Sequence, residues 1–116
     1  MAKRRPYVTL DGSTVWELVR PEDGCSRVSV AKARIEEGKR TLGHVHHTRD
    51  EIYYVLGGEG VVYTGGRKRK VRPGDVVFIP ARTEHFVVSI DGPMTLLCIC
   101  APPYRHEDTS VTEEEE

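Results

Sequence analysis

Residues 52–71 read IYYVLGGEGVVYTGGRKRKV. The first five are aromatic or branched, which favours an extended chain, and GGEG at 57–60 reads as a turn. VVYT at 61–64 then meets Gly65-Gly66, a hairpin signal, with 67–71 as the return strand. Downstream, RPGD at 72–75 is a turn with Pro and Gly well placed. VVFI at 76–79 is a strand stopped by Pro80. FVVSI at 86–90 is another, closed by Asp91-Gly92-Pro93, and TLLCIC at 95–100 is the last before Pro102-Pro103. Upstream, CSRVSVAKARI at 25–35 alternates Val28, Val30 and small Ala residues against Arg27, Ser29, Lys32 and Arg34. Only 12–19 (GSTVWELV) suits a short helix or irregular turn. Short strands at regular spacing predict an all-β sandwich or barrel.

Composition bounds the rest. The chain has 116 residues, 38% hydrophobic and 30% charged, with net charge −1. That is one ordinary globular domain, with no global field to attract nucleic acid or an anionic membrane. No apolar run approaches the ~20 residues of a spanning helix. MAKRRPYVTL at 1–10 starts basic with no apolar run behind it, so no secretory signal is expected. Three cysteines, two at C-x-C spacing, form no disulfide framework, and a cytoplasmic location is the expectation. The expected organisation is an arm at 1–20 holding a strand or short helix, a barrel at 21–103, and a polar, acidic tail at 104–116. The first six residues should be loose and the EEEE run at 113–116 solvated.

Four of the five histidines lie between His44 and His85. His44 and His46 are two apart, so on a strand both imidazoles point to one face. Four residues then allow a tight turn, after which the carboxylate of Glu51 can face back toward the pair. His85 arrives after the Pro80 turn, just before a strand. Three imidazoles and a carboxylate suit one borderline divalent transition metal (Fe, Mn, Zn, Ni, Cu or Co) and not Ca or Mg.

The spacing resembles that of the cupin superfamily. Gly38-x5-His44-x-His46-x4-Glu51-x6-Gly58 reproduces the first cupin motif, and Gly74-x5-Pro80-x4-His85 the frame of the second. The Gly usual two residues after that Pro is Arg82 here, and the Asn usual four after that His is Ser89. The resemblance spans roughly 34–101. It implies a small cupin or jelly-roll barrel, a double-stranded β-helix, with His44, His46, Glu51 and His85 holding a metal inside it. It also implies a homodimer.

Other residues divide by facing. Tyr53 and Val55 should share the face of Glu51, so Tyr53 either packs in the core or hydrogen-bonds a substrate or ligand carboxylate. His47 should point away, and His106 reads as surface, although the polar segment 104–108 has the makings of a flap over an opening. Cys98 and Cys100 should share a face as small buried side chains. RKRK at 67–70 reads as protection of an edge strand; without interleaved aromatics it gives no nucleic-acid signal. Ser89 and Tyr53 are the candidates for fixing the histidine tautomers.

The functional expectation is metal-dependent chemistry on a small polar molecule inside the barrel, with Glu51 and Tyr53 as the catalytic candidates. Three readings follow: a dioxygenase-type oxidoreductase, a sugar or sugar-phosphate isomerase, epimerase or lyase using the metal as Lewis acid, and a non-catalytic small-ligand binder. A sugar phosphate would call for cations at the mouth, for which Arg34, Arg40 and Arg49 are available.

Overall fold

The structure is a computed structural model that describes residues 4–113. Residues 1–3 of the expected loose arm and 114–116 of the acidic run lie outside these. Among the described residues nine antiparallel strands form one connected sheet: β1 Tyr7–Val8, β2 Thr14–Val19, β3 Ser29–Ile35, β4 His44–His46, β5 Asp50–Thr64, β6 Arg67–Val71, β7 Val76–Ile79, β8 His85–Ala101 and β9 Thr109–Val111. Two 3-10 turns, Pro21–Asp23 and His106–Asp108, are the helical segments among the described residues. No helix there is long and apolar enough to cross a membrane.

β5 and β8 are the spine. Their C- and N-terminal halves pair as Glu59–Thr64 with His85–Asp91, and their other halves as Asp50–Gly57 with Thr95–Ala101. β7 and β3 flank the second pairing, and β2 and β1 follow β3. β6 flanks the first, while β4 joins β8 through His44 and His85 and carries β9 on its other edge. The sheet thus curls over on itself because two long strands bend and belong to both halves.

That bend corrects the expectation of four separate strands at 52–56, 61–64, 86–90 and 95–100. GGEG does not reverse the chain. It holds three register shifts between Val55 and Gly60, and bulges of this kind let a strand bend between sheets while staying paired. Glycine is required at two of these positions. A Cβ on Gly58 would meet the Pro93 carbonyl, and one on Gly60 the Val88 carbonyl and Met94 Sδ. The 12–19 segment is also a strand, β2, not a helix. Thr14–Val19 pairs with β3, which buries Val15.

Alternation then sorts the side chains. Tyr53, Val55, Val77, Ile79, Val87, Met94 and Leu96 face inward and pack with Ile35, Val62 and Val71 into one core. Burial of large aliphatic side chains contributes about 1.5–3 kcal/mol each, which holds the curled sheet closed. The same inward face carries polar groups toward one end: His44, His46, Glu51 and His85 are all at most 5% exposed. RKRK lies on β6, an edge strand paired to β5 alone, and all four side chains are exposed.

Candidate metal centre

The four polar groups converge. One ligand atom from each of His44, His46, Glu51 and His85 lies within 4.8 Å of all the others. Three strands and a turn produce this. β4 presents His44 and His46 on one face, as the i, i+2 spacing requires. Pairing of His44 with His85 brings the third ring to 4.1 Å from the first, centroid to centroid. Glu51 enters from the start of β5, with its Oε1 3.1 Å from His46 Nε2 and 3.2 Å from His85 Nε2.

Each ring is held from behind. His44 Nδ1 donates to the Leu42 carbonyl at 2.7 Å, and His85 Nδ1 to the Thr83 carbonyl at 2.9 Å. His46 Nδ1 lies 2.9 Å from Thr109 Oγ1, whose proton goes to the Arg105 carbonyl at 3.1 Å. The hydroxyl therefore accepts from Nδ1–H. With Nδ1 protonated on all three rings, the Nε2 atoms carry the inward lone pairs, which is the arrangement metal-binding histidines adopt. Ser89 and Tyr53 do not perform this task. Ser89 Oγ donates to the Gly92 carbonyl at 2.7 Å, and Tyr53 only sets its ring edge-on to His85 at 5.9 Å. The partners are carbonyls two residues before His44 and His85, and one threonine far along the chain.

The electrostatics fit a cation. Burial pushes the Glu51 carboxyl up, but His46 and His85, which donate to it from Nε2 when those rings carry a second proton, outweigh burial and hold the group well below the usual carboxylate range. Burial, then the nearby His85, lowers the His44 imidazole from its ordinary value. One Glu51 oxygen against two ring nitrogens is favourable only with positive charge between them, supplied by protons or a metal ion. The donor set, three imidazoles and a carboxylate with inward lone pairs, fits a divalent transition metal.

A cavity of about 570 Å³ opens onto this cluster. Asp11, Tyr53, Cys98, Cys100, Arg49 and Tyr104 are among its lining residues. Burial, reinforced by the field of Glu51, raises the Tyr53 phenol well above its ordinary value, so the group stays protonated at the cavity wall. Cys98 and Cys100 share that face, as alternation requires. Cys100 is buried and its thiol donates to Glu51 Oε2 at 3.4 Å; Cys98 is only half-buried, at the cavity wall. Burial, with Glu51 adding to it, raises both thiols.

The remaining expectations sort plainly. His47 is exposed and bonds Ser110 Oγ at 2.7 Å, and His106 is exposed beside Tyr104. Arg34 pairs with Glu36, and Arg40 pairs with Glu113 and covers the Phe86 ring. Of those three arginines Arg49 lines the cavity, with its guanidinium 3.5 Å from Asp108 and bonded to the Pro103 carbonyl. Segment 104–111 folds back, setting Tyr104 5.8 Å from the His46 ring and β9 against β4. Two contributors were missed from sequence, Thr109 and Asp11. Asp11 Oδ2 lies 3.5 Å from His44 Nε2. Neither stands near the histidines in sequence; an Asx-type D-G-S turn is the one local signal at Asp11.

Comparison with known proteins follows the same lines. The sequence profile of the cupin domain matches residues 31–100. An uncharacterised protein of Methanocaldococcus jannaschii, MJ1618, is 41% identical over 114 residues, 96% of this chain and 90% of that one. A quercetin 2,3-dioxygenase of Bacillus subtilis is 35% identical over 49 residues, 42% of this chain but 14% of that enzyme. An oxalate-binding protein of Thermotoga maritima is 33% identical over 57 residues, 49% of this chain and 47% of that protein.

Proposed function

The chain belongs to the cupin domain family, and from that premise we propose that it holds one divalent transition metal and acts on a small polar molecule in the cavity. His44, His46, Glu51 and His85 are the proposed ligands. The observation that carries this is the meeting of their four donor atoms at the cavity, with every Nδ1 already engaged. A divalent metal supplies a Lewis acid there, and a redox-capable one also supplies electrons for O₂ chemistry. The chain's own groups do the rest. The carbonyls of Leu42 and Thr83 and the Thr109 hydroxyl orient the rings. Tyr53 offers a phenolic proton to an oxygen of the bound molecule, and Tyr104 covers the His46 side of the cavity. Glu51 is both a ligand and, with Tyr53, the catalytic candidate.

Oxygenase-type chemistry is the leading reading, supported by the partial likeness to the quercetin dioxygenase. Binding without turnover is the second, supported by the likeness to an oxalate-binding protein. Lewis-acid isomerase or lyase chemistry on a sugar phosphate finds less support, because Arg34, Arg40 and Arg49 are all engaged by carboxylates. A homodimer is also proposed.

Metal analysis of chain purified without added metal tests the first step. One equivalent is expected in the native chain and none in a His44→Ala/His46→Ala variant; full occupancy in the variant overturns the ligand set. Diketones, catechols, sugars and sugar phosphates are then offered with and without O₂. Turnover that stops without O₂ supports the oxygenase reading. Anaerobic turnover with Zn supports the Lewis-acid reading. Binding without turnover under every metal leaves the binder.

A further inference from the structure

Of the cavity's carboxylates besides Glu51, Glu17 and Glu22 are paired with Arg20, while Asp11 reaches the histidine cluster and comes from outside the residues that match the cupin profile. Asp11 sits in the turn between β1 and β2. Its Oδ1 accepts three hydrogen bonds, from Thr9 Oγ1 at 2.6 Å, Ser13 Oγ at 2.7 Å and Ser13 N at 2.9 Å. The turn is itself tethered to the histidine strand, because Leu42 N donates to the Asp11 carbonyl at 2.8 Å. Leu42 is also the residue whose carbonyl fixes His44 Nδ1. One backbone link therefore sets the His44 ring and the Asp11 carboxylate relative to each other.

With Oδ1 saturated, Oδ2 is left at the cavity wall, 3.5 Å from the inward nitrogen of His44. The Asp11 side chain is 16% exposed. Asp11 is not one of the four groups whose donor atoms lie within 4.8 Å of each other. It stands beside that cluster, next to His44 alone, while Glu51 touches His46 and His85. A fixed carboxylate oxygen with one lone-pair side turned to a cavity is an acceptor for a donor, and it repels another anion.

We propose that Asp11 is a specificity-determining residue: it accepts a hydrogen bond from a protonated group on the cavity's small molecule, where that molecule meets the metal on the His44 side. The site would then select chelating acids that carry a hydroxyl, the 2-hydroxy acid class, over dicarboxylates that carry none. This rests on the proposed metal site. Glycolate and oxalate make a matched pair of probes. Both are two-carbon acids that chelate through a carboxylate oxygen and an adjacent oxygen, but only glycolate brings a proton to the second oxygen.

The experiment is calorimetric binding of each probe to full-length chain loaded with Ni²⁺, for the native protein, Asp11→Asn and Thr9→Val. Metal content is measured alongside. The native chain should favour glycolate over oxalate by a larger factor than free Ni²⁺ does. Asp11→Asn should keep its metal and lower the glycolate-to-oxalate affinity ratio by about tenfold or more, the usual weight of a charged hydrogen bond. Thr9→Val, which leaves the carboxylate but removes one clamp, should lower the ratio by a smaller factor and gives a reading if the first variant folds poorly. An unchanged ratio in both variants overturns the proposal. So does loss of metal from Asp11→Asn, or metal-loaded native chain that binds neither probe. A native chain that takes up no metal overturns the metal reading, and this proposal with it; the other outcomes overturn this proposal alone.

Discussion

Thr109 and His46, 63 positions apart, share a hydrogen bond of 2.9 Å between Oγ1 and Nδ1. The hydroxyl passes its own proton to the Arg105 carbonyl, so it acts on the ring as an acceptor. It fixes both the tautomer and the tilt of His46. It also ties β9 to β4, since Thr109 is the register partner of His46.

Thr109→Val keeps the shape of the side chain and removes the acceptor. Metal affinity should fall by about 10- to 100-fold, the usual effect of losing the partner behind a ligating histidine. Competition with a chelator of known affinity measures it. Thr109→Ser should restore most of the loss. An affinity unchanged in the valine variant would remove Thr109 from the metal site.

The His/Glu cluster was legible in the sequence because three of its members are close in the chain and the cupin-like spacing points to the fourth. His44 and His46 share a strand face, Glu51 follows one turn later, and the Pro80 turn delivers His85. Thr109 and Asp11 were not legible. Their roles depend on β9 pairing with β4 and on the β1–β2 turn reaching Leu42, and no periodicity encodes either contact. The inward set Tyr53, Val55, Val87 and Leu96 followed from alternation. The strand boundaries did not, because glycines that bend a paired strand look the same in sequence as glycines that reverse it. The side-chain acceptors expected behind the histidines were for two rings backbone carbonyls, which every residue carries and no sequence can single out.

Arg82 is the non-glycine residue among those described that has a positive φ, at 65°. It occupies the position where the cupin motif usually has glycine. A left-handed conformation costs a residue with a Cβ about 1–2 kcal/mol, and glycine's extra freedom in the unfolded chain offsets part of that. The Arg82 side chain is exposed. Arg82→Gly should therefore stabilise the chain by about 0.5–1 kcal/mol and raise the midpoint of thermal unfolding by a few degrees. Calorimetry checks this, and a lower midpoint would show that the arginine side chain contributes more than its backbone costs.

Gly60, like Gly58, should not tolerate a side chain in the β5 bend. An added Cβ would point into the Val88 carbonyl and Met94 Sδ, and Met94 is fully buried. Sulfur can shift; the carbonyl belongs to the paired strand and cannot move without breaking the ladder. Gly60→Ala should cost about 3 kcal/mol or more. Gly57→Ala is the control, since its Cβ would meet nothing within 4 Å and its φ is not in the left-handed region. Urea unfolding of the two variants should show a large fall in midpoint for the first and a small one for the second.

The outer face of the same sheet bears on the proposed homodimer. Phe78 is 58% exposed, Val76 48%, Leu56 44% and Tyr54 39%. These are neighbours, not scattered residues. Phe78 pairs with Ile52 and Ile52 with Ile99, while Val76 pairs with Tyr54 and Tyr54 with Leu97. The result is an apolar surface across β7, β5 and β8, closed on the β3 side by Lys32, whose ammonium sits 4.8 Å over the Trp16 ring. A surface of this kind with no charge in its middle favours contact with an identical surface, since a two-fold axis sets each row against its own copy. Light scattering at micromolar concentration should give twice the chain mass. Phe78→Asp places a charge in the centre of that contact and should shift the mass to one chain, because the aspartate would lose its water in the dimer and gain no partner. Fold and metal content should survive, since Phe78 points away from the core and the histidines. A native chain of single mass would overturn the homodimer; a variant that stays dimeric would move the interface to another face.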